Sequence, residues 1–510
     1  VSKGAWTTAP LGAVVDILDS RRVPVNAKER EHRRGQVPYY GATGQVGWID
    51  DAIFDEELVL LGEDGAPFFD RTRDVAYLIR GPAWVNNHAH VLRGGPRISN
   101  RFLFHQLNQV DYRPFVSGTT RAKLPQGPMR EIPLVLPPRE EQDRIVAAIE
   151  THFSRLDAAV ASLTRAKANV KRARASILKA AVEGRLVPTE AELARAEGRE
   201  YEPANAIHRI VDGSSIAPRK PGRKAAARGP APTLLVPEGW ETVLVSDVAA
   251  EPLCNGRSVP TRDDGFRVLR LSAMKAGRID FAESKGGDWT VDDARPWLVE
   301  TGDFLIMRGN GSIKRVGSGA IAGDPTSPVA FPDTIIRLRP RPDVLSSRYL
   351  LVAWSSHVLR SQIEASARTT AGIYKINQSS IANYYLPLPP LAEQHRIVAE
   401  VDRRFSVLDA IEATIDANLA RCARLRQSIL KQAFEGRLVP TDDASADLGS
   451  TAPTWGDEPP REARADASAD PPPPAKRGRR RKAPSAPAVE PAGAVLDQLD
   501  LLFERAGAEE

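Results

Sequence analysis

The sequence predicts an α/β protein built as a repeat, in which two unlike α/β units are each followed by a long helix and the two helices pair with one another. Three observations lead there. Pro137–Thr189 aligns without a gap on Pro389–Thr441: PPREEQDRIV lies on PPLAEQHRIV, SILKAAVEGRLVPT on SILKQAFEGRLVPT, and more than half of the positions are identical. An ungapped self-match of this length reports a duplicated structural unit. Within it, apolar residues recur every seven positions. Ahead of each copy, short β-branched and aromatic runs are separated by Gly, Pro, Asn and Asp, the pattern of strands joined by turns.

The constant segments are expected to be helices over nearly their whole length. In the first, Ile149, Leu156, Leu163, Val170 and Ile177 fall on one heptad position, with His152, Ala159, Ala166, Ala173 and Ala180 three residues after each. The second gives Val401, Leu408, Ile415, Cys422 and Ile429, followed by Arg404, Ile411, Asn418, Leu425 and Gln432. Two such rows make the seam of a coiled coil. Each helix should start just after its Pro-Pro pair and end at Gly184 or Gly436, with Pro188 or Pro440 close behind. A rod of this kind measures roughly 65 Å at 1.5 Å per residue.

The variable units open on a Trp and an apolar segment, AWTTAPLGAVVDIL at Trp6 and GWETVLVSDVAAEPL at Trp240. Strands are expected at VPYYG, ELVLLG, VAYLIR and AWVNNHAHVLR in the first, and at GFRVLRLSAM, GDFLIMRG and TIIRLRP in the second. A helix over SSRYLLVAWSSHVLRSQI leads to Thr369-Thr370, matched by Thr119-Thr120, and an apolar-proline run, IPLVLPP or YLPLPP, then enters the constant segment. The linear division is 1–136, 137–188, 189–234, 235–388, 389–440 and a polar, Pro-rich tail at 441–510 that cannot build a core.

Charge is nearly balanced, 70 basic against 65 acidic residues and a net +5, but it is clustered. Arg219, Lys220, Arg223, Lys224 and Arg228 crowd one stretch and Lys476–Lys482 another, as solvated segments or phosphate contacts. Cys254 and Cys422 have neither disulfide-framework nor zinc-ligand spacing, which fits a reducing cytoplasm. No apolar run approaches the ~18 residues of a membrane span.

GATGQVG at 41–47 has the glycine spacing of a dinucleotide turn. A dinucleotide site needs a buried strand before those glycines and a helix N-terminus after them. Here Val46-Gly47-Trp48-Ile49-Asp50 follows with no helical period, so a tight loop is expected instead, its glycines allowing close approach. RGNGSIKR at 308–315 and the following VGSG lack the P-loop spacing and read as a loop with left-handed glycines. His88 and His90 share one face of a strand without a third ligand, which favours a structural or contact role. There is no GxSxG elbow, and DPPPP at 470 lacks the aromatic of an amino-methyltransferase motif. No catalytic constellation emerges.

Two copies of PPxxEQxRIV, each heading a long helix that ends in EGRLVP behind a variable α/β unit, resemble the specificity subunit of Type I restriction-modification systems. PYYGATGQVGWID, WVNNHAHVL, VPEGW and GDFLIMRGNGS are similar to segments of its target recognition domains. The resemblance covers nearly all of residues 1–441. It implies a non-catalytic DNA-binding chain with two target recognition domains, an antiparallel coiled coil between them and a pseudo-twofold repeat. The implied partners are double-stranded DNA, two modification subunits and two restriction subunits, with no membrane. No cofactor is implied for this chain, and S-adenosylmethionine belongs to the methyltransferase partners.

Candidate DNA contacts in the first domain are Lys28, Arg30, Arg33, Arg34, Tyr39, Tyr40, Asn86, Asn87, Arg121 and Lys123. In the second they are Arg308, Asn310, Ser312, Lys314, Arg315, Lys375, Asn377 and Gln378. Lys and Arg suit phosphates, whereas Arg, Asn, Gln and Ser can also read base edges. Two other readings stand beside this one: a coiled-coil DNA-binding regulator without a methyltransferase, and, remotely, a nucleotide-dependent oxidoreductase built on GATGQVG.

Overall fold

A computed structural model describes residues 6–118, 121–204, 235–370 and 372–439. Thr119-Thr120, the basic stretch at 218–228 and the tail from 441 lie outside the described residues. The chain forms two compact units, one of residues 1–165 with 415–510 and the other of residues 166–414. The division between these units falls inside the long helices. Each variable domain closes its core with the beginning of one long helix and the end of the other.

The two helices, Arg139–Val182 and Leu391–Phe434, are 44 residues each. They begin directly after Pro138 and Pro390. Gly184 (φ +67°) and Gly436 (φ +68°) follow their ends in the left-handed region that a side chain disfavours.

In the first unit, one antiparallel sheet has the strand order Val15–Ile17, Ala89–Gly94, Leu58–Gly62, Ala76–Ile79. A second runs Gly44–Ile49, Val37–Gly41, Pro82–Val85, Phe54–Asp55, its two central strands parallel. Thr7–Pro10 pairs antiparallel with Pro133–Leu136, so the domain's first strand lies on the proline run that feeds the long helix. The helix Asn100–Leu107 packs Phe102, Leu103 and Leu107 into a core shared with Ile145, Val146 and Ile149 of one long helix and Leu430 and Ala433 of the other.

The second unit repeats this plan. Glu241–Leu244 pairs with Tyr385–Leu388, and a six-stranded sheet is centred on Phe304–Met307. Its core combines Trp240, Tyr349 and Trp354 with Ile397, Val398 and Val401 of one long helix and Ala181 and Val182 of the other.

The duplicated Glu-Gln of PPxxEQxRIV has a structural task. Gln142 is fully buried; its amide donates to Arg97 O (2.7 Å) and Pro137 O (3.0 Å), and its oxygen accepts from Ser99 N (3.1 Å). Gln394 does the same with Val344 O (2.8 Å), Pro389 O (3.0 Å) and Ser346 N (2.9 Å). Ser99 and Ser346 are the residues that begin the domain helices Asn100–Leu107 and Ser347–Ser355. Each glutamine thus locks a domain helix to the start of a long helix. The preceding glutamate takes the opening tryptophan, Trp6 Nε1 to Glu141 at 3.1 Å and Trp240 Nε1 to Glu393 at 2.9 Å. Burial pushes the Glu393 carboxyl up, opposed by hydrogen bonds from Glu190 N–H and Trp240.

Contacts between the helices also recur with the partners exchanged. In the first unit Arg426 pairs with Asp157 (2.6 Å) and lies 4.1 Å above the Phe153 ring. In the second unit Arg174 pairs with Asp409 (2.5 Å) and Glu412 (3.1 Å) and lies 5.2 Å above Phe405. Arg174, Asp157 and Phe153 align with Arg426, Asp409 and Phe405 in the repeat.

The heptad expectation needs correction at its second row. His152, Ala159 and Gln432 are exposed, and Leu425 is 41% exposed. Near the helix ends the buried face turns toward the variable domain, so Phe153 is half-buried beside exposed His152, and Leu430 and Ala433 are buried in place of Leu425 and Gln432. Two expected elements are also divided. AWVNNHAHVLR is two strands, Pro82–Val85 and Ala89–Gly94, because Asn86 Oδ1 accepts from His88 N (2.8 Å) and turns the chain. His88 therefore lies in the turn, off the strand face that holds His90. The expected single helix at 346–363 breaks at Ser356 into Ser347–Ser355 and His357–Ser366.

Candidate nucleic-acid interface

GATG forms the end of a hairpin: Val37–Gly41 and Gly44–Ile49 pair antiparallel around Ala42-Thr43, with Gly44 at φ +127°. A side chain on Gly41 would approach Asn86 Nδ2 and Val46 at 3.3 Å, the close approach the glycine permits. No helix opens there, so the pyrophosphate cradle of a dinucleotide fold has no counterpart in this segment.

Pairing of Val37–Gly41 with Pro82–Val85 brings Tyr39 and Tyr40 beside Trp84 and Val85, and Asn86 N donates to Tyr40 O (3.0 Å). This joins Tyr40, Asn86 and Asn87 at one sheet end. Tyr39 is buried, its hydroxyl donating to Val25 O (3.1 Å), and is a core residue rather than a presented one. The helix Ala27–His32 lies against this sheet through cation–π contacts: Arg30 is 4.7 Å from the Tyr39 ring and Arg33 is 4.5 Å from Trp84. Arg33 also pairs with Asp50 (2.8 Å), which holds its guanidinium above the usual range. Lys28 and Arg34 are exposed and make no ion pair among the described residues.

Arg121 and Lys123 form a separate group, tied to Asp64 (2.7 Å) and Glu63 (3.5 Å). Glu63 also lies 3.8 Å from buried His90, whose ring nitrogens contact Asp19 Oδ2 (2.6 Å) and Leu124 O (2.8 Å). For Asp19 burial works upward, but hydrogen bonding and charge from His90, with Val91 N–H and Arg22, hold its carboxyl below the ordinary value. His90 is a satisfied structural residue.

In the second domain the candidates converge more fully. Gly309-Asn310 pairs with Ile373–Lys375, placing Gly309 opposite Lys375, and Ile376 N donates to Arg308 O (3.0 Å). Asn310 Oδ1 accepts from Ser312 N (2.9 Å), shaping the loop that carries Lys314 and Arg315. Gly309 and Gly311 are absent from the left-handed region; only Gly317 of this segment, φ +70°, occupies it. The ladder to Lys375 and the Asn310 turn produce the shape that glycines with positive φ were expected to give. Asn377 caps the helix Gln378–Ala382 by accepting from Ser380 N (2.8 Å), which leaves Gln378 in its first turn. Arg308 is held by Asp333 O (3.2 Å), whereas exposed Lys314, Arg315 and Lys375 have no acidic partner among the described residues.

Lys314 and Arg315 line an open groove of about 1000 Å³ with Arg278, Arg348, Trp354 and Phe405. Arg278 was missed from the sequence because it sits in GRIDF, a run with no nucleic-acid signature. Exposed Trp48 has no sequence signal of its own, because a lone Trp in a short strand marks no binding motif. Among the described residues, no group of three or more His, Cys, Asp or Glu side chains could hold a metal ion. No described helix is long and apolar enough to cross a membrane.

Comparison with known proteins agrees with this architecture. Residues 3–164 and 237–421 match the family model of the Type I restriction modification DNA specificity domain. The Type I restriction enzyme EcoKI specificity subunit of Escherichia coli K12 is 27% identical over 354 residues, covering 68% of each chain. The putative type I restriction enzyme specificity subunit S.HindORF215P of Haemophilus influenzae is 34% identical over 141 residues, 28% of this chain and 36% of that one. This chain thus spans about a third of the length of the Haemophilus relative. A chain from a solved structure of the type I R-M system shares the fold with a TM-score of 0.58 at 18% identity, over 85% of this chain and 99% of the other. With a recognised domain in each half and more than half of its length matched, the protein belongs to the Type I restriction modification DNA specificity domain family.

Proposed function

We propose that this chain is the DNA-recognition subunit of a Type I restriction-modification complex and reads an asymmetric, bipartite site with its two unlike domains. The observation that carries the reading is the duplicated helix contact, Arg426 with Asp157 and Phe153 in one unit and Arg174 with Asp409 and Phe405 in the other. Residues late in one helix meet residues in the first half of the other, each way round. That exchange supports an antiparallel coiled coil about a pseudo-twofold axis, with one domain at each end. A stiff spacer fixes the phase between two half-sites, as subunit geometry does in dimeric DNA readers.

The chain contributes recognition and no catalytic group of its own. Exposed Lys28, Arg34, Lys314, Arg315 and Lys375 supply phosphate attraction, and Tyr40, Asn87, Asn310, Ser312 and Gln378 supply groups able to meet bases, whereas buried Asn86 shapes the turn that carries Asn87. Arg30, Arg33, Arg121, Lys123, Arg308 and Asn377 hold those surfaces in shape through the contacts described above. Two modification subunits, which bring S-adenosylmethionine and swing the target adenine out of the duplex, and two restriction subunits complete the assembly in the cytoplasm.

Fluorescence anisotropy of the full chain, co-expressed with its modification subunits, on duplex DNA carrying the modified site tests this reading. Binding should weaken steeply with salt, and Lys314→Ala/Arg315→Ala should reduce the slope of log K against log salt by about 2. Salt-independent binding, or no preference for that site over random duplex, would refute the reading.

A further inference from the structure

In both domains, a hairpin presents one exposed residue between a glycine and a buried isoleucine. In the first, Gly47-Trp48-Ile49-Asp50 ends the strand that pairs with Val37–Gly41; Ile49 is fully buried and Trp48 is 55% exposed. In the second, Gly277-Arg278-Ile279-Asp280 follows the turn after Met274-Lys275; Ile279 is 9% exposed and Arg278 is exposed. The aspartate after each isoleucine is held by a cation of the same domain, Asp50 by Arg33 (2.8 Å) and Asp280 by Lys275 (2.9 Å). The glycine, isoleucine and aspartate thus fix a frame, and the residue that differs faces solvent.

The backbone of the second hairpin is strained where it turns. Ala276 has φ +47°, the one described non-glycine residue in the left-handed region, and Gly277 follows at φ +77°. That turn carries Arg278 to the groove lined by Lys314 and Arg315. None of these three cations has an acidic partner among the described residues; Asp402 and Asp409, which also line the groove, pair with Arg348 and Arg174, so Arg278, Lys314 and Arg315 stay open to a polyanion. In the first domain the frame lies beside the cationic helix Ala27–His32: Arg30 runs along Gly47, Arg33 holds Asp50, and Lys28 and Arg34 make no ion pair among the described residues. A large aromatic left in water beside exposed cations matches a surface that makes apolar contact with DNA while its neighbours hold phosphates.

We infer that Trp48 and Arg278 occupy equivalent positions, touch duplex DNA, and determine part of the half-site each domain accepts. This rests on the DNA-recognition reading above and extends it to two residues outside the initial candidate set. An aromatic ring and a guanidinium at the same position give the two domains different chemistry: stacking or methyl contact from Trp48, and a phosphate or guanine contact from Arg278.

The test uses the full chain co-expressed with its modification subunits, fluorescein-labelled random-sequence duplex DNA, and methylation mapping of the host genome. Trp48→Ala should weaken DNA binding about tenfold without changing the salt slope and alter only one half-site, with Trp48→Phe recovering most of the loss. Arg278→Ala should lower the salt slope by about 0.9, or relax one base position in the other half-site. Both residues are exposed, so unchanged melting temperatures are expected and loss of folding is read directly. The inference fails if affinity, slope and methylated sequence are unchanged in both variants while Lys314→Ala/Arg315→Ala still weakens binding. It fails equally if the variants only lose co-purifying modification subunits, which would assign the hairpins to a protein contact. Failure of the Lys314/Arg315 variant as well would bring down the underlying DNA reading.

Discussion

Replacing Gln394 by Leu removes three hydrogen bonds from a fully buried amide and leaves Ser346 N–H and Val344 C=O without that partner. At about 1 kcal/mol for each bond, and about 1–3 kcal/mol for a polar group left buried and unpaired, the loss should reach about 3–5 kcal/mol. Leucine fills most of the volume, so little of this is cavity cost. Hydrogen-exchange mass spectrometry is the suitable assay because it resolves the two units separately. Gln394→Leu should deprotect the helix Ser347–Ser355, and Gln142→Leu, with the same bond set to Arg97, Pro137 and Ser99, should deprotect Asn100–Leu107. At a temperature where both variants remain folded, DNA affinity should be unchanged. A loss below about 1 kcal/mol, or a DNA defect with normal protection, would show that the duplicated Glu-Gln is not a docking device.

Three further outcomes follow from local geometry. His105 is buried beside Phe104 and Phe153, and burial, with Arg426 and Arg101, depresses its pKa from 6.5 to about 4. The unfolded chain therefore binds the extra proton first, and stability should fall by about 3 kcal/mol as pH drops from about 6.5 to about 4; His105→Leu should flatten that part of a urea-denaturation pH profile, and an unchanged profile would count against it. Gly184→Ala should cost more than Gly436→Ala in thermal melts, because both meet the left-handed penalty of about 1 kcal/mol but the new methyl group would lie 2.3 Å from Pro237 Cγ in the first case and 3.3 Å from Trp6 in the second. Arg426→Ala should destabilise by about 1–2 kcal/mol through its lost ion pair and its contact with Phe153, and Arg426→Lys should recover little of it, since the planar stack is lost.

Much of the fold is legible in the sequence because its signals are local and repeated. Pro-Pro and Gly bound each long helix within a residue or two, and short apolar or aromatic runs between turn residues mark Val37–Gly41, Leu58–Gly62 and Phe304–Met307. The second heptad row is less legible, because whether His152 or Phe153 turns inward depends on where the variable domain covers the helix, a tertiary fact. The division of each helix between two units is equally hidden: the residues that meet, such as Arg426 and Asp157, are separated by most of the chain. The turns that carry the candidate contacts are less legible: glycines suggest a left-handed loop at 308–319, whereas Asn310 and Asn377 shape their segments by accepting from backbone N–H groups. Tyr39 illustrates the limit, since an aromatic in an alternating strand can face either way and this one points into the core. Trp48 and Arg278 required three dimensions, because their hairpins share four-residue frames too short to align by sequence alone.

Mapping of modified adenines by long-read sequencing, in cells expressing this chain with its modification subunits, tests the account most directly when paired with a chain lengthened by one heptad in each long helix. The account predicts two unlike half-sites around a fixed gap, and in the lengthened chain the same half-sites around a longer gap. A continuous palindrome, or half-sites whose sequence changes with helix length, would contradict it.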